Sequence, residues 1–243
     1  MEDMNVGTVK DVVIDDYRAA AIFEKYGIDF CCGGKKTLRS ACDEKGVDPV
    51  LLIAELRSLK SNGAANDVRF AERDLDTLVD FIVSTHHLYV QSAVPILLAH
   101  TNKVAQVHRE NHPELLKIAQ VFQSVAEELL NHMTKEERIL FPYIKRLAAS
   151  AREGTSVAPP SFGTIQNPIR MMEAEHQSAG DAFSLIRAVT GGYKLPLDAC
   201  TTYRVTFKEL EEFEKDLHQH VHLENNILFP RAIELEKELV SAA

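Results

Sequence analysis

Two histidine–glutamate pairs at the same helical spacing are the residues of this sequence best suited to chemistry. His132 and Glu136 belong to the segment HMTKEERILFP, and His220 and Glu224 belong to HVHLENNILFP, which begins 88 residues further along. Residues four positions apart lie on one face of an α-helix, one turn from each other. An imidazole and a carboxylate on one face, presented twice, are the donors that a two-metal site in a helical bundle requires.

A single pair of this kind has a simpler interpretation. Histidine–glutamate pairs are common on helix surfaces, where they stabilise the helix by only ~0.3 kcal/mol. Here both copies continue with the same residues, Ile-Leu-Phe-Pro, and each follows an isolated histidine at a matching distance. The duplication therefore favours a metal site over two unrelated surface pairs.

The repeat extends to two further histidines. His87 and His176 are 89 residues apart, and they precede the two pairs by 45 and 44 residues. Two such halves, related by a pseudo-twofold axis, would bring four imidazoles and two carboxylates into one core. That donor set favours iron or manganese over zinc. The carboxylates of Glu136 and Glu224 are the natural bridges between two metal ions, because each presents two oxygens.

Neighbouring residues compete for these positions. On the last helix the apolar stripe runs beside His220 and Glu224, whereas His218 and His222 lie on another face and are predicted to be solvated. Glu137 likewise falls one step off the face predicted for its helix. On the first helix the choice is open.

Periodicity does not decide between His86 and His87, because Pro95 disturbs the helical phase downstream. The alignment of the two halves of the repeat favours His87, through its match to His176.

Long helices must position these residues, and the fold class is predicted to be all-α. From residue 74 onward the apolar residues recur with helical periodicity, and no segment alternates as a strand. Helices are predicted at about 74–108, 113–149, 167–190 and 198–238. Pro95 is expected to kink or interrupt the first, and Asn167 and Asp198 are expected to cap the last two. The simplest topology is an up-down-up-down four-helix bundle.

Residues 1–60 are predicted to form a small helical N-terminal domain. Its helices are expected at about 8–26, 37–45 and 48–60. A polar segment at 61–73 is the predicted linker to the bundle at 74–240. The segment FCCGG at 30–34 must be a turn, because its paired glycines disfavour a regular helix.

The adjacent Cys31 and Cys32 in this turn are poorly placed to form a disulfide with each other. The glycines would leave the thiols accessible. Free backbone N–H groups, together with Lys35 and Lys36, would lower a thiol pKa. These features predict reactive or metal-transferring thiols; the alternative is two small, partly buried apolar residues.

Composition excludes several classes of protein. The 243 residues are 45% hydrophobic and carry a formal net charge of −9, which argues against nucleic acid as a partner. Four cysteines do not make a disulfide scaffold, and a reducing cytoplasm is expected. The acidic start lacks the features of a secretory signal, and without a run of 18 apolar residues no membrane span is expected.

Several of these segments resemble one known family. The two repeat segments are similar to the ligand segments of hemerythrin-like di-iron domains. The FCCGG turn ahead of such a domain resembles the iron–sulfur cluster repair di-iron proteins (the RIC family). MEAEH at 172–176 and HHLYVQSAVP at 86–95 match the same family, and the latter again selects His87. The resemblance covers essentially the whole chain.

The resemblance implies an oxo-bridged centre of two non-haem iron ions with two carboxylate bridges in a hemerythrin-like bundle. Its ligands on this sequence would be His87, His132, Glu136, His176, His220 and Glu224. It also implies two acidic residues on a path for iron or solvent, Glu128 and Glu175, whose alternative role is ordinary helix surface. Oxygen-carrying hemerythrins have five histidines, and the four matched here favour more labile iron.

The implied role is repair of iron–sulfur clusters damaged by nitric oxide or oxidants, by supplying iron. Damaged iron–sulfur proteins would be the clients and a homodimer the assembly. Two alternatives stay open: reduction of nitric oxide at the same centre, and sensing or storage of oxygen or iron. The thiol pair argues against simple oxygen carriage, which needs no thiols.

Overall fold

The computed structural model describes residues 7–61 and 70–241. Within these ranges the chain forms helices and no β-strand; the described residues contain a single isolated antiparallel bridge, between Thr8 and Thr37. The predicted all-α class is confirmed. Most of the segment predicted as a linker, residues 62–69, lies outside the described residues, and a short 3₁₀ turn follows at Phe70–Glu72.

The N-terminal part consists of short helices. They are α1 (Val9–Asp15), α2 (Ala19–Lys25), α3 (Leu38–Lys45) and α4 (Pro49–Ser61). The single helix predicted at 8–26 is wrong, because the chain leaves the helix at Asp16, whose backbone is extended. The Asp16 carboxylate accepts hydrogen bonds from the backbone N–H and the guanidinium of Arg18. A local side-chain bond of this kind competes with helix continuation.

Four long helical segments form the bundle. The first joins α5 (Leu75–Ile82) to α6 (Leu88–His108), and the second joins α7 (Glu114–Lys135) to α8 (Phe141–Glu153). The third is α9 (Gln166–Val189), and the fourth joins α10 (Thr201–His222) to α11 (Phe229–Ser241). Helix α7 packs against α6 and α9, α10 packs against α6, and α8 packs against α5 and α11.

A widened π-helical turn interrupts three of these segments. The turns are Val83–His87, Glu136–Leu140 and Leu223–Leu228. Each contains or ends on a residue that the repeat selects as a metal ligand, and π turns inside α-helices are frequent at functional sites. Of the two effects expected of Pro95, a kink or an interruption, the interruption does not occur, since α6 continues through that residue.

The starts of the last two helices differ from the prediction by a few residues. Helix α9 begins at Gln166, and α10 begins after Cys200. Asp198 does not cap α10. Its carboxylate instead lies 3.0 Å from Nε2 of His112, in the connection between α6 and α7.

The N-terminal part packs directly on the bundle. Phe30 contacts the rings of His218 and His222, with centroid distances of 5.9 and 5.8 Å. The Nδ2 group of Asn226, in the last π turn, donates hydrogen bonds to the carbonyl oxygens of Phe30 and Cys31. Apolar side chains of both parts share one continuous core, so the FCCGG turn is held against the helix that carries His220 and Glu224.

One described stretch, Leu75–His108, is long and apolar enough to cross a membrane by length and composition alone. Core helices of soluble proteins satisfy the same criterion, so the expectation that the chain has no membrane span stays a prediction. In this structure the stretch is the first helix of the bundle, and His87 within it is fully buried.

Candidate metal centre

Four imidazole rings meet in two pairs inside the bundle. The Nε2 atoms of His87 and His220 are 3.1 Å apart, and those of His132 and His176 are 2.9 Å apart. All four side chains are buried. A hydrogen bond between two imidazoles uses one lone pair and one proton, whereas a cation placed between them accepts both lone pairs.

The carboxylate of Glu136 lies between the two pairs. Its Oε2 atom is 3.5 Å from Nε2 of His87 and 3.4 Å from Nε2 of His132. Glu136 is fully buried, and among the described residues neither of its oxygens has a hydrogen-bond partner. A buried carboxylate without hydrogen bonds is costly unless a cation compensates it, so these oxygens suit metal coordination.

The carboxylate of Glu224 also contacts both pairs. Its Oε1 atom is 3.1 Å from Nε2 of His220, and its Oε2 atom is 3.1 Å from Nε2 of His176. Two groups of close donors therefore share both carboxylates: His87, Glu136, His220 and Glu224 form one, and His132, Glu136, His176 and Glu224 form the other. A cation in each group would have four protein donors. Octahedral coordination would then leave positions for water or a small ligand.

Carboxylates and imidazoles set one another's protonation. Burial disfavours the charged form of His87, but its contacts with Glu136 and Glu224 outweigh this effect and raise its pKa to about 10. Burial is likewise outweighed at His132, where Glu136 contributes most to raising the pKa to about 9. Burial opposes ionisation of both glutamates, yet the neighbouring imidazoles hold their pKa values below the usual range. Protons on His87 and His132 thus occupy the place that a cation would take.

Polar residues outside the centre orient two of the imidazoles. Nδ1 of His87 is 2.8 Å from a carboxylate oxygen of Glu137, and Nδ1 of His176 is 2.9 Å from the amide oxygen of Asn225. Such contacts fix the tautomer and aim Nε2 at a metal. Neither residue is evident from the sequence pattern, and Glu137 falls off the predicted face, because a π turn begins at Glu136 and changes the helical phase.

Glu175 orients a third imidazole. Its Oε2 atom is 2.8 Å from Nδ1 of His132, and its other oxygen accepts a hydrogen bond from Lys135. Despite partial burial, these two contacts hold the pKa of the Glu175 carboxyl below its usual range. The residue predicted to line a path for iron or solvent therefore lies directly behind a histidine of the centre.

Glu128 lies farther out. Its two carboxylate oxygens are 3.3 and 3.4 Å from the hydroxyl groups of Ser124 and Ser178. Glu128 is exposed to solvent and belongs to neither group of central donors. Glu128 lies on α7, one turn before His132. A role for it at the outer end of a path for iron or solvent stays a proposal.

His86 is buried beside the centre but belongs to neither group of central donors. Its Nδ1 atom is 2.9 Å from Oδ1 of Asp216, and its ring stacks on His220 with centroids 5.5 Å apart. Burial lowers the pKa of His220. Of the two candidates that periodicity left open, the structure brings His87 to Glu136.

The prediction that His218 and His222 are solvated is wrong for His222, which is 1% exposed. Its ring packs against Tyr17 and Phe30, and burial lowers its pKa to about 4. His218 is half-buried and lies 3.3 Å from Glu24. The N-terminal part covers this face of α10, which the periodicity of the helix alone does not reveal.

A hydrogen-bond network around one carboxylate shapes the thiol turn. The Asp29 carboxylate accepts hydrogen bonds from the backbone N–H groups of Cys31, Cys32 and Gly33 and from the Cys31 thiol. A Cβ at Gly34 would lie 2.3 Å from the carbonyl oxygen of Phe30. The close approach of the two backbones thus requires glycine at this position.

The expected low thiol pKa is wrong for Cys31. The hydrogen bond to Cys32, burial, and the charge of Asp29 raise the pKa of Cys31 well above its usual value. The backbone N–H groups that were expected to stabilise a thiolate donate hydrogen bonds to the Asp29 carboxylate instead. The nearby Lys35 and Lys36 pair with other carboxylates, Glu173 and Glu44.

Comparison with known proteins agrees with this geometry. The hemerythrin HHE cation binding domain matches residues 77–232, and a domain of unknown function named ScdA_N matches residues 5–60. The chain is 36% identical over 223 residues to the iron-sulfur cluster repair protein YtfE of Enterobacter sp. (strain 638), covering 92% of this chain and 94% of that protein.

Two further relatives carry the same name. The protein of Escherichia coli O81 (strain ED1a) is 37% identical, and that of Yersinia pestis (strain Pestoides F) is 36% identical. Each comparison covers 89% of this chain and 91% of the relative. The histidines and glutamates of the candidate centre lie within the segment that matches the cation binding domain. The segment that matches ScdA_N precedes it. The chain therefore belongs to the family of iron–sulfur cluster repair proteins with a hemerythrin-type domain.

Proposed function

We propose that this chain restores iron–sulfur clusters damaged by nitric oxide or oxidants, and that it does so by supplying iron from a di-iron centre. The proposed ligands are His87, His132, Glu136, His176, His220 and Glu224. The observation that carries the proposal is the pair of donor groups that share two buried carboxylates. The names of the relatives support the repair role.

The six proposed ligands suit iron that binds reversibly, so that it can be released to a client. When bound, iron would supply Lewis-acid and redox chemistry to small ligands at its open positions. Glu136 and Glu224 supply the negative charge that balances the cations. Glu137 and Glu175 hold two of the imidazoles in orientation. Because His87 and His132 accept protons readily in the metal-free state, protons compete with metal for the same nitrogens.

Incubation with a damaged client tests the proposal. Iron-loaded protein is mixed with an iron–sulfur enzyme whose cluster has been broken by nitric oxide. The activity of the enzyme and the iron content of both proteins are followed together. We expect the cluster to recover as iron leaves this chain, whereas the His132→Ala variant, lacking a ligand, should not support recovery. Recovery without any loss of iron from the loaded protein would contradict iron supply.

Reduction of nitric oxide is a second candidate, favoured by the link between the thiol turn and the centre. Asn225 binds His176, and the next residue, Asn226, binds the backbone of Phe30 and Cys31. A π turn that contacts both a histidine of the centre and the backbone of the thiol turn suits delivery of electrons from the thiols. Steady consumption of nitric oxide with formation of nitrous oxide, given a reductant, would support this candidate. Its absence would leave iron supply as the function.

A further inference from the structure

The thiol turn contains three metal-ligating side chains that the central site does not use. The Sγ atoms of Cys31 and Cys32 are 4.0 Å apart, and the Cys31 Sγ atom is 3.3 Å from Oδ1 of Asp29. These atoms form the one close donor group among the described residues that lies outside the bundle centre. We propose that Asp29, Cys31 and Cys32 form a third metal site, for a borderline divalent cation such as Fe²⁺, Zn²⁺ or Co²⁺.

The spacing of the donors matches tetrahedral coordination. Metal–sulfur bonds of about 2.3 Å and metal–oxygen bonds of about 2.0 Å place two tetrahedral sulfurs about 3.8 Å apart and a sulfur and an oxygen about 3.5 Å apart. The observed separations of 4.0 and 3.3 Å differ from these values by a few tenths of an ångström. For these two pairs of atoms a cation therefore needs only small side-chain adjustments, and all three donor atoms lie within 4.8 Å of one another.

The carboxylate of Asp29 can accept a cation in place of one hydrogen bond. Its Oδ1 atom accepts hydrogen bonds from the backbone N–H groups of Cys31 and Cys32 and from the Cys31 thiol, and its Oδ2 atom accepts one from the Gly33 N–H group. Metal binding would replace the thiol hydrogen and keep the three backbone bonds. The step is balanced: one divalent cation binds two thiolates, and two protons leave for water without any oxidation or reduction.

The site also has an entrance. Cys32 is half-exposed at a cleft of about 440 Å³ between the N-terminal part and the bundle. On the opposite wall, a Cβ at Gly180 would lie 4.0 Å from the Cys32 Sγ atom. Glycine inside a long helix costs about 1 kcal/mol relative to alanine, and a methyl group here would be in van der Waals contact with the thiol.

Three protein ligands leave the fourth tetrahedral position open, as in catalytic rather than structural metal sites. The raised pKa of Cys31 opposes thiolate formation, so binding is expected to be weak and reversible. Both features suit a site that passes a cation to an incoming thiolate or carboxylate. The assignment is independent of the repair function, because its test measures metal binding alone.

Cobalt titration of the full chain tests the site. Iron-loaded protein is reduced with a phosphine, kept free of oxygen and titrated with Co²⁺. We expect one further equivalent to bind, with thiolate-to-cobalt absorption in the near ultraviolet, tetrahedral cobalt bands in the visible and release of two protons. The Cys31→Ser and Cys32→Ser variants should each lose most of the thiolate absorption.

Two more variants separate this site from alternatives. The Cys200→Ser variant, which removes an exposed thiol 3.2 Å from His108, should bind cobalt unchanged. The Asp29→Asn variant should bind cobalt at least tenfold more weakly once the affinities are corrected for the protons released, since a neutral amide is the poorer ligand. Absorption that disappears with Cys200, or unchanged binding in the Asp29 variant, would overturn the proposal. If that variant does not fold, X-ray absorption of cobalt in the unsubstituted protein must show two sulfur ligands with lighter atoms.

Discussion

At the scale of single residues, the two central glutamates have roles that the histidines cannot share. Glu136 and Glu224 each contact one histidine from each pair, so each contributes to both candidate cation positions. Each histidine contributes to one cation position, and its second nitrogen or its ring contacts residues that surround the centre. Loss of a glutamate should therefore affect both cations, and loss of a histidine mainly one.

The first prediction concerns metal content. Glu224→Ala should remove nearly all bound iron, and His132→Ala should leave at most one ion per chain, as measured by elemental analysis of purified protein. His218→Ala is the matched control on the same helix as Glu224; it contacts Glu24 and Phe30 and should retain full iron content. Loss of iron in the His218 variant with retention in the His132 variant would show that the ligands are wrongly assigned.

The second prediction concerns thiol reactivity. Cys31 is buried with a raised pKa, whereas Cys32 is half-exposed, so iodoacetamide should label Cys32 first at neutral pH. Asp29→Asn removes a charge that raises the Cys31 pKa and should speed labelling of Cys31 several-fold. Asp43→Asn, an exposed acid of the same region, should not. Mass spectrometry of the labelled peptides reports both rates, and equal rates for the two thiols would contradict the structure.

The six residues that the sequence selected as ligands come together in the structure, but of the residues that orient them only Glu175 was named from the sequence. The repeat selected His87, His176 and both pairs, because ligand types and spacing are properties of the chain itself. The outer residues Glu137 and Asn225 were not predicted, since the π turns that present them depend on tertiary packing. The prediction of a lowered Cys31 pKa was wrong for a related reason. Its controlling carboxylate, Asp29, acts through a loop conformation that spacing does not specify.

At the scale of elements, helix boundaries depend on contacts between distant segments. Helix α9 carries His176, and its start is anchored by Glu236 of α11. Glu236 is buried and accepts hydrogen bonds from the backbone N–H of Ile165 and the hydroxyls of Tyr143 and Thr164. A carboxylate at a helix start also interacts favourably with the helix dipole. The sequence analysis instead expected Asn167 to cap this helix, because a cap supplied from α11 leaves no local signature.

The third prediction tests that anchor. Glu236→Gln replaces an acceptor oxygen with a donor group, which leaves one of these buried donors unsatisfied. We expect a loss of about 1–3 kcal/mol in the free energy of unfolding, measured by urea denaturation. Glu234→Gln, an exposed change on the same helix, should alter stability by less than about 0.5 kcal/mol. An unchanged midpoint for Glu236→Gln would mean that other groups fix the start of α9.

At the scale of the whole molecule, a polar centre lies between apolar cores. One core is shared by the N-terminal part and most of the bundle, and a second surrounds α5, α8 and α11. The all-α fold followed from helical periodicity. The packing of the N-terminal part on α10 did not, because it depends on surfaces such as Phe30 and His222 that meet only in the folded protein.

The last prediction concerns iron removal and pH. In the metal-free protein the folded-state pKa values of His87 and His132 are about 10 and 9, against about 6.5 in the unfolded chain. Both states hold these protons below pH 6.5. Between pH 6.5 and about 9 only the folded state holds them, so unfolding becomes easier as pH rises, by about 1.4 kcal/mol per pH unit for each histidine.

Iron-loaded protein should behave differently, because metal-bound imidazoles carry no proton to lose at these nitrogens. Thermal melts of both forms between pH 6.5 and 9 should show that iron raises the melting temperature at every pH and that the difference widens as pH increases. The His218→Ala variant, changed outside the centre, should show the same widening. A difference that stays constant or narrows would mean that His87 and His132 are already neutral without metal. The glutamates would then be balanced by charges other than these two imidazoles.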